Sequence, residues 1–552
     1  MHNGPFAGYR RSWWRRDLLA GIATACVLLP LAMAYATIAG LPVQVGLLTC
    51  TVPVVVYAVL GGSRTLSVST TSTSAVLTAS TLVAAGTAAA SPDPARTLAM
   101  LSLLVGAILL VGRMFRLGGL VDNASAATLT GIRTAVGLTV VAGQLPVLLG
   151  VPGDAGDGTA SFLPAAVRAL AERATGANLA TVLLSVTTLA LLVGLARGLP
   201  RVPGPLVAVV VGIVLVTHGQ LDAAGVALVD SIPSGVPVPV LPAFDEAAAL
   251  FPGACTIAVM AFLESVAAAR TARRPEEPPI DDDRELAAVG LACAVGALFR
   301  AMPVAGGLPP TASTRRSGAR SQLGGLTTAA LAVGCLVFLG GVLAELPRAT
   351  LGCVVVLAAA GLVAPSDFVR FWRVDRFEFG GAVVTALAGV TLGLPAAVLV
   401  GVLLMLATLL RELGGVGVTE LVPVGPGPDE LVAAGRAPRR PGLLVLRFDG
   451  PLYTANVRSA QRRLLAAVDA APGTRTVVVD ASSLAVVSVT VIEGFADLER
   501  ELAARGVTAW IAGIPPRSLT AVRATPRWHE LAGAGRLRPT ALAATRAVSG
   551  RE

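Results

Sequence analysis

The sequence predicts a polytopic α-helical membrane protein of about fourteen spans, followed by a small α/β domain. Three observations carry this expectation. The 552 residues are 54% hydrophobic and only 14% charged, against about 25% charged in an ordinary soluble domain, and the mean hydropathy is +0.75. The charge is uneven: residues 18–112 hold three charged side chains, Arg64, Asp93 and Arg96, whereas residues 440–552 hold 24. Between the two regimes lies a Pro/Gly-rich stretch, after which long apolar runs give way to short strands and amphipathic helices. Together these exclude a soluble enzyme with one anchor, a disordered chain and a fibrous repeat.

A span needs roughly 20 mainly apolar residues. Apolar windows occur at 18–40, 41–60, 95–111, 128–149, 179–196, 202–217, 250–269, 286–301, 326–344, 349–363, 379–391 and 393–410. Two further segments, 66–85 and 311–325, are polar for membrane helices. The first continues from Leu66 as Ser67-Val68-Ser69-Thr70-Thr71-Ser72-Thr73-Ser74; the second follows Gly306-Gly307-Leu308-Pro309-Pro310. Each is the third span of its block, counting from Asp17 and from Leu250, so the spacing fits two seven-span repeats. An even count puts both ends on one side. Arg10, Arg11, Arg15 and Arg16 before the first span, and Arg411 after the last, place that side in the cytoplasm. The basic N-terminus followed by an apolar run mimics a signal peptide, but many spans follow, and it reads as an anchor for the first helix.

The expected organisation is an N-terminal cytoplasmic segment (1–16), a transmembrane domain (17–412), a linker (413–440) and a cytoplasmic α/β domain (441–552). The linker follows from five prolines and three glycines between Val422 and Pro441. Beyond it, 443–448, 476–481 and 507–513 read as strands and 454–471 and 489–504 as helices; strands alternating with helices give an α/β domain.

The formal charge of +9 is carried by arginines that are scattered or flank apolar spans, which fits positive-inside topology rather than nucleic-acid binding. The six cysteines are dispersed through apolar stretches and the three histidines form no ligand pattern, so neither a disulfide scaffold nor a metal site is expected. No GxxxxGK[ST], HExxH or GxSxG motif occurs, so an ATP-driven pump or a hydrolase is not expected, and no cofactor is implied.

The chemistry concentrates in the two polar segments. Lipid offers backbone groups no hydrogen bonds, so irregular backbone persists at depth only when buried in protein or lining a cavity. If both segments become helices at mid-membrane, their N-termini can face each other, each with free N–H donors and a partial positive charge that hold an anion. Hydroxyls of Ser69, Thr70, Thr71 and Thr311 add donors; alternatively they bond backbone or pack helices together. Glu264 is the sharpest single residue, because an acid inside an apolar span is costly. It carries a coupling proton, binds a cation, donates as a neutral acid, or is a structural acid bonded to a neighbouring helix. Met33 and Tyr35 follow Pro30, whose kink can turn Tyr35 towards a pocket; ordinary packing is the alternative. Arg315 and Arg316 either attract an anion or simply flank a helix end.

These residues belong to a pattern that resembles the SulP anion permease family. Asp17-Leu18-Leu19-Ala20-Gly21, then Leu29-Pro30-Leu31-Ala32-Met33-Ala34-Tyr35-Ala36 and Ala39-Gly40-Leu41-Pro42, resemble the family's first span. Gly62-Ser63-Arg64 with Leu66-Ser67-Val68 resembles the approach to the third, Phe262-Leu263-Glu264-Ser265 the eighth, Asp283-Arg284-Glu285-Leu286 the ninth, and Gly318-Ala319-Arg320-Ser321-Gln322-Leu323 the tenth. Phe448-Asp449-Gly450-Pro451-Leu452-Tyr453 and Val479-Asp480-Ala481-Ser482 resemble a STAS domain. The resemblance implies a seven-plus-seven inverted repeat with core and gate domains, elevator-like alternating access, a homodimer in the cell inner (plasma) membrane, and coupling to H+ or Na+. It places a small anion (sulfate, bicarbonate or dicarboxylate) among Ala32, Met33, Tyr35, Ser69, Thr70, Thr71, Ser265, Gly307, Leu308, Pro309, Pro310 and Thr311, with Glu264 as the coupling residue.

The chain also departs from the family. Leu31 stands where Gln is frequent, and Ser69-Thr70 where Gly-Pro is. The Ser-Arg pair frequent before the tenth helix falls on Pro309-Pro310 without a gap, or on Thr314-Arg315 with one. In related STAS regulators a Ser follows an Asp at the start of the second helix; here the positions are Ser488-Val489, with Ser488 or Thr490 as substitutes or mere helix caps. Two rival readings therefore stand beside anion transport: a nucleobase-like permease of the same architecture, and a non-transporting, membrane-held STAS protein that binds a cytoplasmic protein partner.

Overall fold

Charge-free apolar runs in lipid have one local way to bond their own backbone, the helix, and the chain takes it. The structure, a computed structural model, describes residues 9–86, 93–119, 126–151, 176–199, 202–229, 239–414, 416–424, 430–433, 440–454, 456–484, 489–523 and 526–550. It divides into two units, Met1–Met405 and Leu406–Glu552.

The first half of the membrane unit holds α1 (Trp14–Ile38), α2 (Val43–Thr49), α3 (Val52–Leu60), the two-residue strand β1 (Val68–Ser69), α4 (Ser72–Ala84), α5 (Pro94–Met114), α6 (Ala126–Leu149), α7 (Leu179–Gly198) and α8 (Gly204–Gly219). The second holds α9 (Ala247–Ala272), α10 (Asp282–Ala297), β2 (Ala305–Gly306), α11 (Leu308–Arg316), α12 (Leu323–Phe338), α13 (Gly340–Ala344), α14 (Arg348–Ala360), α15 (Pro365–Val374), α16 (Arg376–Leu392) and α17 (Leu394–Gly414). Among the described residues seven helical segments are both long and apolar enough to cross a membrane by themselves. Several others are shorter, including α4 and α8. Leu183, Val186, Leu399 and Leu403 are among the large apolar side chains exposed on the outside of this unit, the surface that lipid solvates.

In each half the third segment is a short helix preceded by a two-residue strand. β1 and β2 pair antiparallel, Val68 opposite Gly306 and Ser69 opposite Ala305. Equivalent strands that pair antiparallel require the two halves to meet in opposite senses, as an inverted repeat does. Gly306 permits the close approach: a Cβ there would lie 2.9 Å from Ser265 Cα.

Besides the β1–β2 ladder and local bonds, the unwound backbone before α4 and α11 finds partners in side chains from other helices. Glu285, fully buried on α10, accepts from Gly62 N and Ser63 N, both at 3.0 Å, and from Tyr57 Oη at 2.8 Å. Gln322 Nε2 donates to Ser63 O at 3.0 Å and Leu66 O at 2.9 Å. Ser67 N donates to Thr311 Oγ1 at 3.1 Å, and Gly306 N to Ser265 Oγ at 2.8 Å. These are the bonds that water would supply outside a membrane. The residues quoted above for the ninth- and tenth-span resemblances thus include the clamps of the crossing.

Helix ends differ from the apolar windows in three places. The second window breaks between Thr49 and Val52. The window 349–363 is followed by α15, an amphipathic helix whose Trp372 packs edge-on against Phe379 with Arg376 over its ring. The segment 311–325 is not one helix: α11 ends at Arg316, and Gly318, at φ +84°, turns the chain into α12.

The second unit carries a six-stranded sheet in the order β4-β3-β5-β6-β7-β8, formed by β3 (Val418–Val424), β4 (Glu430–Ala433), β5 (Leu443–Phe448), β6 (Thr476–Asp480), β7 (Thr508–Ala512) and β8 (Leu537–Arg538). β5 through β8 are parallel; β3 pairs antiparallel with both β4 and β5. Val477 and Val479 are buried, as is Val478 between them, because helices cover a parallel sheet on both faces. The stretch 413–440, expected as a linker, instead supplies β3 and β4. Its prolines hid them: Pro423 sits within β3, opposite Leu431 of β4. Ser488, the position set against the Ser of related STAS regulators, lies outside the described residues.

The clamp yields a direct expectation. Gln322→Leu strands two buried carbonyls, at roughly 1–3 kcal/mol for each acceptor left unpaired. The detergent-purified variant is expected to melt clearly below the parent, and an unchanged melting temperature would contradict the clamp.

Candidate functional site

The β1–β2 crossing opens onto a cavity in the membrane unit. Its volume is about 50 Å³, several times the roughly 10–15 Å³ that one water requires. Leu28, Leu31 and Tyr35 of α1 form one wall, and Thr70, Thr71 and Ser72 the lip of α4. Gly306, Gly307, Leu308, Pro309 and Pro310 form the lip of α11. Glu264 of α9 and Arg133 of α6 complete it, with Ala358 and Leu362 at the end of α14.

Of the residues expected at a substrate site, Tyr35, Thr70, Thr71, Glu264, Gly307, Leu308, Pro309 and Pro310 meet at this cavity. Five others sit behind its wall. Ala32 is fully buried at the crossing of α1 and α2, where its carbonyl leaves no room for a side chain at Gly46. Met33 is packed in the core. Ser69 is held in the β1 ladder, its hydroxyl on Thr70 O at 3.1 Å. Ser265 Oγ donates to Ala261 O at 2.6 Å and accepts from Gly306 N, and Thr311 Oγ1 accepts from Ser67 N. The last two brace the strands. Hydroxyl-rich composition does not say which hydroxyls face the hollow and which satisfy backbone. Arg315 donates to Thr271 O at 2.8 Å, and neither it nor Arg316 lines the cavity.

Glu264 is 9% exposed and accepts two hydroxyl protons, from Thr71 Oγ1 to Oε2 at 2.8 Å and from Thr73 Oγ1 to Oε1 at 2.5 Å. Thr71 also caps α4, accepting from Ser74 N at 3.2 Å. Thr70 is 2% exposed, and its hydroxyl has no hydrogen-bond partner among the described residues. A buried donor left unmade at a cavity wall is costly unless a ligand or water meets it.

The two helix ends differ in what they offer. At α4 the N–H groups of Ser72 and Thr73 precede the first internal bonds, since Ser74 N goes to the cap and Ala75 N to Thr71 O. At α11, Pro309 and Pro310 have no N–H, Gly307 N donates to Ser67 O and Thr311 N to Gly307 O. Only the Leu308 N–H remains of the first turn. Of the free N–H donors expected at each end, two therefore remain at α4 and one at α11, because prolines favoured at a helix start remove the groups that would bind an anion.

Sequence reasoning missed Ser72, Thr73 and Arg133. The first two belong to the same hydroxyl run. Arg133 stands near the start of an apolar window, where an arginine reads as an interfacial anchor.

Known proteins resemble the chain as follows. The profile of the Sulfate permease family matches residues 14–386, and that of the STAS domain residues 436–527. The "Probable sulfate transporter Rv1739c" of Mycobacterium tuberculosis (strain ATCC 25618 / H37Rv) is 37% identical over 518 residues, covering 92% of this chain and 91% of that one. "Sulfate transporter 4.1, chloroplastic" of Arabidopsis thaliana is 30% identical over 471 residues, covering 83% and 67%. Among solved structures, that described as "The overall structure of SLC26A9" is similar with a TM-score of 0.88 at 20% identity, over 100% of this chain and 93% of that one. At that identity the likeness speaks to the fold alone.

The wall assignment is testable by thiol accessibility, with the partly buried Cys26, Cys255 and Cys335 first replaced by Ala. A small methanethiosulfonate reagent is expected to label Pro309→Cys and to spare Ser265→Cys. Equal labelling of the two would contradict the geometry.

Proposed function

This chain belongs to the sulfate permease family, a family of transporters and not of enzymes, and from that premise we propose that it is a secondary active transporter of small inorganic or organic anions of the sulfate, bicarbonate or dicarboxylate class. The chain is an anion transporter by kinship; the substrate class and coupling are our reading. The observation that carries it is one cavity within the membrane unit that collects the α4 N-terminus, an unpartnered hydroxyl at Thr70 and the carboxylate of Glu264. A helix N-terminus and a hydroxyl suit an anion; a carboxylate beside them suits a cation or proton that travels with it.

The proposed site comprises Tyr35, Thr70, Thr71, Gly307, Leu308, Pro309 and Pro310 as cavity wall, with Ser69, Ser265 and Thr311 holding the strands. Glu264 is the coupling residue, for H+ or Na+. The packing suits alternating access: α6 packs chiefly against α14 and α16, and α9 against α4 and α5, so two bodies can slide past one another across the cavity. Cytoplasmic termini follow if Arg113, Arg197, Arg270, Arg373 and Arg411, which end or follow the fourth, sixth, eighth, twelfth and fourteenth crossings, share a side with Arg10. Residence in the inner (plasma) membrane, a homodimer, and a protein partner for the STAS domain complete the reading.

Uptake by proteoliposomes tests it. Glu264→Gln is expected to abolish accumulation driven by an ion gradient while leaving downhill anion exchange measurable; gradient-driven accumulation at the parent rate would remove Glu264 from the coupling role. Competition of uptake by sulfate, bicarbonate, fumarate and uracil separates an anion carrier from a nucleobase-like permease, and saturable flux of any of them rejects a non-transporting STAS protein.

A further inference from the structure

We infer that Arg133 of α6 is the cation that recognises the anion, and that its guanidinium selects oxyanions over halides and neutral bases. The inference rests on the transport reading above and adds to it the source of positive charge and the chemical class of ligand.

The location comes first. Arg133 lies seven residues inside α6, a helix of 24 residues, which is about 10 Å along its axis at 1.5 Å per residue. An ionised side chain within a span is costly and ordinarily meets a counter-charge. Arg133 lines the cavity. Its charge acts on Glu264, yet among the described residues its guanidinium makes no hydrogen bond and no direct ion pair. Five N–H donors of fixed geometry thus stand at the wall of a membrane cavity without acceptors.

The α11 end shows what is missing. The α11 end keeps one free N–H in its first turn, because Pro309 and Pro310 contribute none and the Gly306, Gly307 and Thr311 groups are bonded within the protein. A helix terminus supplies roughly half an elementary charge. The α4 end adds the Ser72 and Thr73 N–H groups and the unpartnered Thr70 hydroxyl. These donors favour an anion, but Glu264 stands beside them and, when ionised, opposes it. A full positive charge at the cavity decides the balance, and Arg133 is the cation in its lining.

The shape of the group then sets the ligand class. A guanidinium is a planar fork that pairs with two oxygens of one ligand; a lysine is a point charge that attracts any anion. Sulfate, bicarbonate and carboxylates present two oxygens on one centre. Chloride does not, and a neutral base gains little from an unneutralised cation.

Thermal-shift titration of the purified full-length protein tests this, with millimolar sodium sulfate, bicarbonate, fumarate or chloride at constant ionic strength so that general salt effects cancel. Arg133→Gln is expected to weaken oxyanion binding roughly 10- to 100-fold, the loss of a pair of charge-assisted hydrogen bonds. Arg133→Lys is expected to weaken oxyanions while keeping chloride. Returning a charge at the α11 end with Pro310→Arg in the Arg133→Gln background is expected to recover part of the oxyanion affinity. The ligand-free melting temperature of Arg133→Gln should stay at or above that of the parent, since an unneutralised charge has left a span; a fall would mark a structural counter-ion to Glu264 and overturn the inference. Parent-like oxyanion affinity in Arg133→Gln overturns it alone. No anion-dependent stabilisation of the parent protein overturns the transport reading and this inference together.

Discussion

Everything in the membrane unit depends on how the chain bonds its backbone where it is not helical. Residues 61–71 and 301–307 run irregularly between helices. In lipid each unbonded N–H or C=O costs several kcal/mol, so the crossing exists only because neighbouring helices supply partners. Glu285 meets two N–H groups, Gln322 two carbonyls, Ser265 and Thr311 one N–H each, and Thr49 Oγ1 accepts from Met302 N at 3.0 Å. Polar residues that look like functional candidates in a hydropathy profile are here largely occupied as backbone partners. The polar side chains that remain exposed to the cavity are the ones free to meet a substrate.

The same constraint explains why the proposed site draws on hydroxyls and the α4 end instead of many charges. A short helix started at depth brings its own partial charge without a desolvated ion. Thr71 joins the two functions. Its oxygen accepts from Ser74 N as the α4 cap and its hydrogen goes to Glu264. Thr73 adds a second hydroxyl to the same carboxylate. Glu264 is thereby tied to the first turn of the helix that presents N–H donors to the cavity.

The spans, the α/β tail and the two polar segments were legible because each leaves a periodic or compositional trace: apolar runs, alternating strands and helices, and a run of hydroxyls no lipid-facing helix would carry. Glu264 was legible because an acid amid Ala261-Phe262-Leu263 has no interfacial excuse. What was hidden left no such trace. β1 and β2 are two residues each, too short for any period. β3 and β4 lie in a Pro/Gly-rich stretch that reads as a linker until the sheet pairs them. Ser265 and Thr311 were recognised as polar at the right depth, but burial against Gly306 and Ser67, not composition, decides that they brace strands. Arg133 was hidden because its nearness to a helix end is visible in sequence and its nearness to Glu264 is not.

Pro309 and Pro310 bring these strands of reasoning together. Proline is well suited to the first turn of a helix, where its missing N–H ordinarily costs nothing. At this helix those N–H groups would have pointed at the cavity, so the substitution that stabilises the start of α11 also strips it of anion donors. On the proposed reading the site then leans on α4 and on Arg133, and its positive potential moves from the half-helix pair towards α6. On the proposed reading, with α6 packed chiefly on α14 and α16 and α11 on α1 and α9, the two halves of the charge balance belong to different bodies. A sliding motion between those bodies would change the distance from Arg133 to Glu264 and to the α4 end together. In that geometry grip on an anion becomes a function of conformation, which is what alternating access requires of a binding site: strong hold in one arrangement, and a weaker one after the bodies have moved apart.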